Sequence, residues 1–163
     1  MAIERQLFRT LLRRWASGVA VVTTRAGDQV AGMTATSFCS VSLEPPLVLV
    51  CANEKALTLP VIEKAGGFSV NLLADDQHEL SARFALSGNE ALRFEGLVCR
   101  SGPTGSPWLP DTLAVLDCRT VARHDAGDHV ILVGEVQVAE WDEARAPLLY
   151  YDAGYRRLTP PGA

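Results

Sequence analysis

The stretch "GMTATSFCSVSLEPPLVLVCAN", residues 32–53, joins a cluster of small hydroxyl side chains to an apolar run. The hydroxyl residues are Thr34, Thr36, Ser37, Ser40 and Ser42, and the apolar run covers residues 47–52. The Pro45-Pro46 pair between them blocks helix and forces an extended or turn conformation. The pattern predicts strands near residues 37–42 and 47–52. Either the hydroxyls occupy loops and the polar faces of strands, or they hold a polar ligand against the sheet.

A helix and a hairpin are predicted on the N-terminal side of this stretch. Apolar residues recur at helical spacing from Ile3 to Trp15, which predicts an amphipathic helix over about residues 3–16 that stops by Gly18. The β-branched run "VAVVTT", residues 19–24, predicts a strand. The turn residues "RAGDQ" then lead to a returning strand over residues 30–33.

Short strands and helices are predicted on the C-terminal side. "LTLPVIEKA" (57–65) indicates a helix with Thr58 as N-cap, "GGFSVNLLA" (66–74) a strand, and "DDQHELSARFA" (75–85) a helix capped by Asp75 or Asp76. Two long strands flank a turn at residues 125–128. The remaining predictions are loops at 88–95 and 102–110, a closing segment at 147–158, and a frayed tail at about 159–163.

The order of these elements predicts the fold class. At least seven strands and three helices are expected, and strands follow one another without regular alternation with helices. This order favours a mainly β fold, an antiparallel β-barrel with a few packed α-helices, in one domain over residues 1–163. A doubly wound nucleotide-binding fold is disfavoured because no GxGxxG motif follows the first strand.

Composition narrows the class of protein further. The 163 residues are 48% hydrophobic and 21% charged, with a net charge of −4, which is typical of an ordinary globular domain. Binding to nucleic acid is not expected, since no basic stripe appears, and the arginines at positions 5, 9, 13 and 14 are interpreted as a solvated helix face. The longest apolar run is too short to span a membrane, and no signal-peptide pattern is present, so a cytoplasmic location is predicted.

The cysteines and histidines do not form a metal-binding pattern. Cys39, Cys51, Cys99 and Cys118 are scattered without a CxxC pair, which fits free thiols in a reducing cytosol. The three histidines lack the HxxxH and HExxH spacings of metal ligands. The sequence therefore predicts no metal site.

Four separated stretches together resemble one protein family. They are the opening segment, "FSVNLLADDQHELSARFA" (68–85), "GDHVILVGEV" (127–136) and "PLLYYDAGYRRL" (147–158). In this order they resemble the flavin reductase family with the FMN-binding split barrel, the reductase component of two-component flavin monooxygenases. The resemblance implies an antiparallel split β-barrel, hydride transfer from NADH or NADPH to FMN or FAD, and a homodimer. It also implies a separate monooxygenase component that receives the reduced flavin.

The resemblance also implies which residues bind flavin. Thr34, Ala35, Thr36 and Ser37 would line the isoalloxazine ring and ribityl chain, partly through backbone groups. Cys51, Ala52, Asn53 and Thr58 would contact flavin at and beyond the end of the buried strand. Arg83 would grip the flavin phosphate, with Phe84 beside it. Ala56 and Leu57 stand where the family commonly has serine, and Lys55 could supply charge there instead.

Two further segments would complete the pocket. Asp128 and His129 precede a long apolar strand, and in the family this histidine meets the nicotinamide at the pocket mouth. His129 is therefore the predicted catalytic residue, one that positions nicotinamide and does not move protons. Tyr155 could cover the pocket, although an interface or core tyrosine is an equal alternative. From the residues alone, an ordinary turn residue is the favoured interpretation of His129, and the family resemblance reverses that preference.

Two other functions remain open at this point. The same barrel could be a non-enzymatic flavin carrier or sensor, because a fold does not fix a function. It could also be a dimerisation or binding module that has lost flavin. Retention of Arg83, Asp128 and His129 argues against the second of these.

Overall fold

Seven antiparallel strands form the main sheet, in the order β3-β2-β6-β9-β10-β5-β4. The computed structural model describes residues 2–88 and 90–159, so residues 160–163 of the predicted tail lie outside the described residues. The strands of this sheet are β2 Ala20–Ala26, β3 Gln29–Ala35, β4 Phe38–Leu43, β5 Pro46–Asn53, β6 Gly67–Leu72, β9 Ala114–Ala126 and β10 His129–Trp141.

Smaller elements surround the main sheet. Strands β1 Ser17–Gly18, β11 Leu149–Tyr151 and β12 Gly154–Arg156 form a three-stranded sheet, and β7 Arg100–Ser101 pairs with β8 Pro107–Trp108. The helices are α1 Arg5–Leu12, α2 Thr58–Ala65 and α3 His78–Ala85, with one 3₁₀ turn at Glu90–Leu92. Among the described residues, none of these helices has the length and apolar character needed to cross a membrane.

The strands follow the local patterns that predicted them. Along β5, buried Val48, Val50 and Ala52 alternate with more exposed residues, the period of two that a strand imposes. Strands β9 and β10 form the predicted long hairpin, in which His129 pairs with Ala126 across the turn. Gly127 has φ 70°, a left-handed conformation that glycine adopts without steric cost.

The main sheet is curled into a barrel. Its central core collects buried side chains from β2, β3, β5, β6, β9 and β10, with Leu59 and Ile62 of α2 at one end. Because β3 and β5 lie towards opposite ends of the strand order yet share this core, the sheet must close on itself. The antiparallel β-barrel with packed helices that the sequence predicted is confirmed.

A second core lies on the outer side of β2. Val19 and Val21 pack there with Phe84 of α3 and Leu148, while Ala20 and Val22 face the barrel interior. Both faces of β2 are therefore buried, and α3 is fixed against the barrel wall.

Helix α1 is shorter than predicted. The sequence predicted residues 3–16, whereas the helix covers Arg5–Leu12. Glu4 is extended and its side chain accepts a hydrogen bond from the Gln6 N–H, so the helix cannot begin earlier. At the other end, the N–H groups of Arg14 and Trp15 bond to carbonyls three residues back, which tightens the last turn and ends the helix.

The predicted helix caps were wrong. Thr58 is the first residue of α2, the N-cap is Leu57, and no side chain caps the helix. Helix α3 has Gln77 as its N-cap, not Asp75 or Asp76, and its start also lacks a side-chain cap bond. The Gln77 amide instead accepts from the Ala74 N–H and donates to the Pro110 carbonyl, which ties the helix entry to a distant loop.

Candidate active site

A cavity of about 730 Å³ opens between the barrel and the starts of α2 and the 3₁₀ turn. We call it the main cavity. It gathers most of the predicted site residues: Thr34, Ala35, Thr36, Ser37, Cys51, Asn53, Thr58, Phe84 and His129. Met33, Lys55, Ala56, Leu57, Ala85, Ser87, Glu90 and Arg93 complete its lining.

Strand pairing brings His129 to this cavity. His129 opens β10 and lies opposite Asn53, the last residue of β5. Alternation along β5 directs Cys51 and Asn53 to the cavity, whereas Ala52 between them packs into the barrel core. The prediction that Ala52 contacts a ligand can therefore apply to its backbone only, because its side chain points inward.

Two of the predicted hydroxyls already have protein partners. Thr34 Oγ1 donates to the Ser81 carbonyl at 2.6 Å, which joins β3 to α3. Ser37 Oγ donates to the Cys51 carbonyl at 3.0 Å and accepts from the Cys51 N–H at 3.2 Å. These two hydroxyls hold the cavity wall together. The hydroxyls of Thr36 and Thr58 have no hydrogen bond within the described residues and are free for a ligand.

The start of α2 forms an electropositive end of the cavity. The N–H groups of Leu57 and Thr58 have no acceptor among the described residues, and no side chain caps them. The N–H of the next residue, Leu59, bonds to the Ala56 carbonyl, so the free donors are limited to these two. Ala56, Leu57 and Thr58 all line the cavity at this point, with Lys55 next to them. Unpaired N–H groups at a helix start together with an ammonium group favour an anion such as a phosphate.

Arg93 is a buried cation of the cavity that sequence reasoning missed. Its Nη1 donates to the Gly32 carbonyl at 2.5 Å and its Nη2 to the Leu86 carbonyl at 2.6 Å, and the residue is only 7% exposed. Its Nε is buried without a partner among the described residues. The sequence contains one weak indication that Arg93 is a site residue, because the Arg-Phe pair at 83–84 recurs at 93–94.

Arg83 lies elsewhere. Its guanidinium donates to the carbonyls of Leu92 and Glu95, and it lines a separate cavity with Glu79 and Ala82. The structure therefore does not bring Arg83 to the main cavity. The helical direction of α3 explains the difference, because Phe84, the next residue, turns inward to the core and to the cavity.

Phe84 packs tightly on β3. The ring is 1% exposed and meets Phe94 edge-on at a centroid distance of 5.1 Å. A Cβ atom at Gly32 would lie 2.7 Å from Phe84 Cε1, so glycine is required where the ring crosses the strand. The expected packing role of Phe84 agrees with this position, and its edge also reaches the cavity.

The imidazole of His129 is held by its neighbour. Its Nδ1 lies 2.7 Å from Asp128 Oδ1, which leaves Nε2 available to a ligand. The hydrogen bond from His129, and then the positive charges of protonated His129 and of Arg5, lower the pKa of the Asp128 carboxyl. Asp128 does not itself line the cavity; it orients the histidine that does.

Tyr155 is placed behind α3 and not over the cavity. Its hydroxyl donates to Ser81 Oγ at 3.0 Å, and its ring meets Tyr150 at 5.6 Å and packs against the second core. The pocket-covering role predicted for Tyr155 does not agree with this position. The alternative of a core tyrosine does.

The barrel and its cavity fit a protein that binds flavin. The chain belongs to the flavin reductase like domain family, whose model matches residues 12–159. It is 43% identical over 157 residues to the reductase component of 4-hydroxyphenylacetate 3-monooxygenase from Thermus thermophilus, covering 96% of this chain and 99% of that protein. It is 40% identical over 153 residues to an NADH-dependent flavin reductase from a Rhodococcus species, covering 92% and 84% of the two chains.

Solved structures with the same fold contain both kinds of cofactor. The NADH:FAD oxidoreductase SgcE6 of Streptomyces globisporus, solved with NAD and FAD fragments, superimposes with a TM-score of 0.91 at 32% identity and covers 98% of this chain and 96% of that one. The flavin reductase HpaC complexed with NADP+ superimposes with a TM-score of 0.87 at 31% identity, with 95% and 98% coverage.

Proposed function

We propose that this chain is an NAD(P)H:flavin oxidoreductase that supplies reduced FMN or FAD to a separate flavin-dependent monooxygenase component. The observation that carries the proposal is the main cavity, where an uncapped helix start, free hydroxyls and His129 face one space of about 730 Å³. A volume of this size is within the range of cofactor pockets. Family membership and the names of the relatives support the same activity.

The donor set fits a flavin. A flavin phosphate needs N–H or cationic donors, which the start of α2 and Lys55 supply, and its ribityl chain needs hydroxyl partners, which Thr36 and Thr58 supply. The buried Nε of Arg93, without a partner among the described residues, is a donor that an oxygen-bearing ligand could satisfy. Thr34 and Ser37 line the same wall and keep acceptor lone pairs after bonding to the protein.

The protein's own contribution is alignment. The bound cofactors supply the hydride donor at nicotinamide C4 and the acceptor at flavin N5. His129, oriented by Asp128, positions the nicotinamide amide through its free Nε2. Holding the nicotinamide and isoalloxazine rings stacked and aligned accounts for the rate acceleration, and no acid–base triad is required. Backbone N–H groups in residues 34–37 and the free Thr36 hydroxyl would stabilise negative charge on the polar edge of the ring, whereas the Thr34 and Ser37 hydroxyls donate to the protein.

The chain acts as a homodimer in this proposal. Helix α1 has no buried residue, and its Leu7, Phe8 and Leu11 are each about half exposed. A continuous apolar helix face in water usually marks an interface, and two-fold pairing is the commonest solution. We place the dimer in the cytoplasm, where NAD(P)H is available and where the four free cysteines of the described residues stay reduced.

One experiment separates this proposal from a flavin carrier. Oxidation of NADH and of NADPH is followed at steady state with FMN, FAD and riboflavin added in turn, and flavin binding is measured in parallel. A reductase oxidises at least one nicotinamide cofactor in a flavin-dependent manner. A carrier binds flavin but oxidises NADH negligibly, and a module without flavin binds none.

A further inference from the structure

A second cavity of about 660 Å³ lies beside α1. We call it the α1 cavity. It is lined by Gln6, Arg9, Leu12, Arg13, Trp15, Ser17, Thr36, Tyr150, Asp152 and Ala153. Thr36 also lines the main cavity, so the two spaces adjoin. A ligand that begins in the main cavity can therefore continue into the α1 cavity past Thr36.

The α1 cavity presents two unpaired guanidinium groups. Arg9 and Arg13 line it four residues apart, on one side of the helix, and neither side chain has a hydrogen bond or ion pair within the described residues. Asp152 is the only carboxylate among the lining residues, and Arg14 lies 3.9 Å from it. The side of the cavity formed by α1 is therefore free to attract an anion.

These arginines continue a row of positive charge that starts near His129. Arg5 lies one turn before Arg9 and close enough to Asp128 for its charge to lower the pKa of that carboxyl. At the other end, the Arg13 carbonyl accepts a hydrogen bond from the Asp152 N–H. The row from Arg5 to Arg13 is about 12 Å long, from eight residues at 1.5 Å each. It connects the turn that carries His129 with the α1 cavity.

Aromatic rings complete the lining. Trp15 is 76% exposed and Tyr150 is 37% exposed, and both line the α1 cavity. A purine base stacks well on such faces, whereas leaving an indole in water is unfavourable. The Asp152 carboxylate can accept hydrogen bonds from ribose hydroxyls. Guanidinium groups, aromatic faces and a carboxylate are the groups that recognise pyrophosphate, adenine and ribose.

We propose that the α1 cavity binds the adenosine diphosphate half of a dinucleotide, with the pyrophosphate on Arg9 and Arg13 and the adenine against Trp15 and Tyr150. The identity of the dinucleotide rests on the proposed reductase function. NAD(P)H and FAD both carry this half, and either one would have its reactive ring in the main cavity. Helix α1 is thus a binding element for the cofactor as well as a surface for dimer formation.

The test uses ADP as the probe. Binding of ADP to the flavin-free chain is measured by calorimetry for the wild type, for Arg9→Gln/Arg13→Gln, and for the control Arg25→Gln/Lys64→Gln. The control removes the same charge from two exposed residues that line neither cavity. The arginines are exposed, so the loss of ADP affinity is expected to be about tenfold in the first variant, with little change in the control. Trp15→Ala should weaken ADP binding and leave inorganic pyrophosphate binding unchanged.

Two further measurements identify the source of the ADP half. In the Arg9→Gln/Arg13→Gln variant, a rise in the KM for NADH with FMN as acceptor, at unchanged FMN affinity, assigns the α1 cavity to the nicotinamide cofactor. A loss of FAD affinity in the same variant, at unchanged FMN affinity, assigns the α1 cavity to FAD. Failure of ADP to bind the wild type, equal ADP binding by both double variants, or a parallel loss of FMN affinity would overturn the inference. ADP binding that depends on Arg9 and Arg13 without any NAD(P)H oxidation would instead refute the proposed function alone.

Discussion

The Nη1 of Arg93 donates a hydrogen bond to the Gly32 carbonyl at 2.5 Å, across 61 residues of sequence. The same guanidinium donates to the Leu86 carbonyl, so one side chain fixes β3, the end of α3 and the 3₁₀ turn together. This contact closes the main cavity on one side. It also keeps Gly32 in place under the ring of Phe84.

Loss of this contact should destabilise the fold. Arg93→Met leaves the buried Gly32 carbonyl and the partly buried Leu86 carbonyl without a charged donor, and each such hydrogen bond is worth about 1.5–3 kcal/mol. We expect the free energy of unfolding in urea to fall by about 3 kcal/mol. The matched variant Arg83→Met also loses two carbonyl contacts, but from a half-buried position, and should cost about 1 kcal/mol. Equal losses in the two variants would contradict the special role of Arg93.

The phosphate end of the main cavity can be tested with two flavins. Lys55→Gln should weaken FMN binding by about 1 kcal/mol, because an exposed ammonium group is partly screened by solvent. Riboflavin, which lacks the phosphate, should bind equally well to the variant and the wild type. Lys64→Gln, in the last turn of α2 and outside the main cavity, is the control. Equal losses of FMN and riboflavin affinity would show that Lys55 does not contact the phosphate.

Replacement of His129 should damage the nicotinamide side selectively. A hydrogen bond from imidazole to a neutral amide contributes about 0.5–1.5 kcal/mol, so His129→Ala should weaken NADH binding by roughly tenfold or less. Misalignment of the rings would slow flavin reduction further, while flavin affinity stays almost unchanged. Stopped-flow reduction and flavin titration measure the two effects. Normal NADH kinetics would make His129 an ordinary turn residue, and loss of flavin would place it on the wrong side of the cavity.

The buried thiol of Cys118 should make stability fall at alkaline pH. Burial, and secondarily the charge of Asp117, raises the pKa of this thiol from 9.0 to about 12. Its stabilising contribution is complete below the unfolded pKa of 9.0 and is lost as the pH rises towards 12. Between about pH 7 and about pH 10, Cys118→Ala should lose about 1 kcal/mol less unfolding free energy than the wild type. Cys39→Ala, at an exposed position, should behave like the wild type.

The dimer should depend on the apolar face of α1. A carboxylate in that face cannot be buried without a large cost, so Leu7→Asp/Leu11→Asp should shift the chain to monomer at micromolar concentration. Gln6→Asp, about 150° around the helix from the centre of that apolar face, is the control. Sedimentation velocity reports the outcome. A wild-type chain that sediments only as a monomer would refute the dimer itself.

The sequence by itself determined the fold class and most of the element positions. The alternation of β5, the β-branched run of β2 and the turn between β9 and β10 are local patterns, and local sterics and burial decide them. The resemblance to a family also selected most of the residues that line the main cavity. The caps of α2 and α3 were mispredicted because Gln77 has distant partners, and α2 starts without any cap.

Only the tertiary structure decided which of two arginines, Arg83 or Arg93, lies at the main cavity. Arg83 and Arg93 each precede a phenylalanine, and the sequence gives no local reason to prefer one. The side chain of Arg93 reaches the main cavity because the chain after α3 folds back on β3, where the Gly32 carbonyl accepts its hydrogen bond. The inward direction of the Ala52 side chain and the core position of Tyr155 were decided in the same way. The direction of a side chain relative to a distant strand depends on contacts between residues far apart in sequence, and these contacts form only in the folded chain.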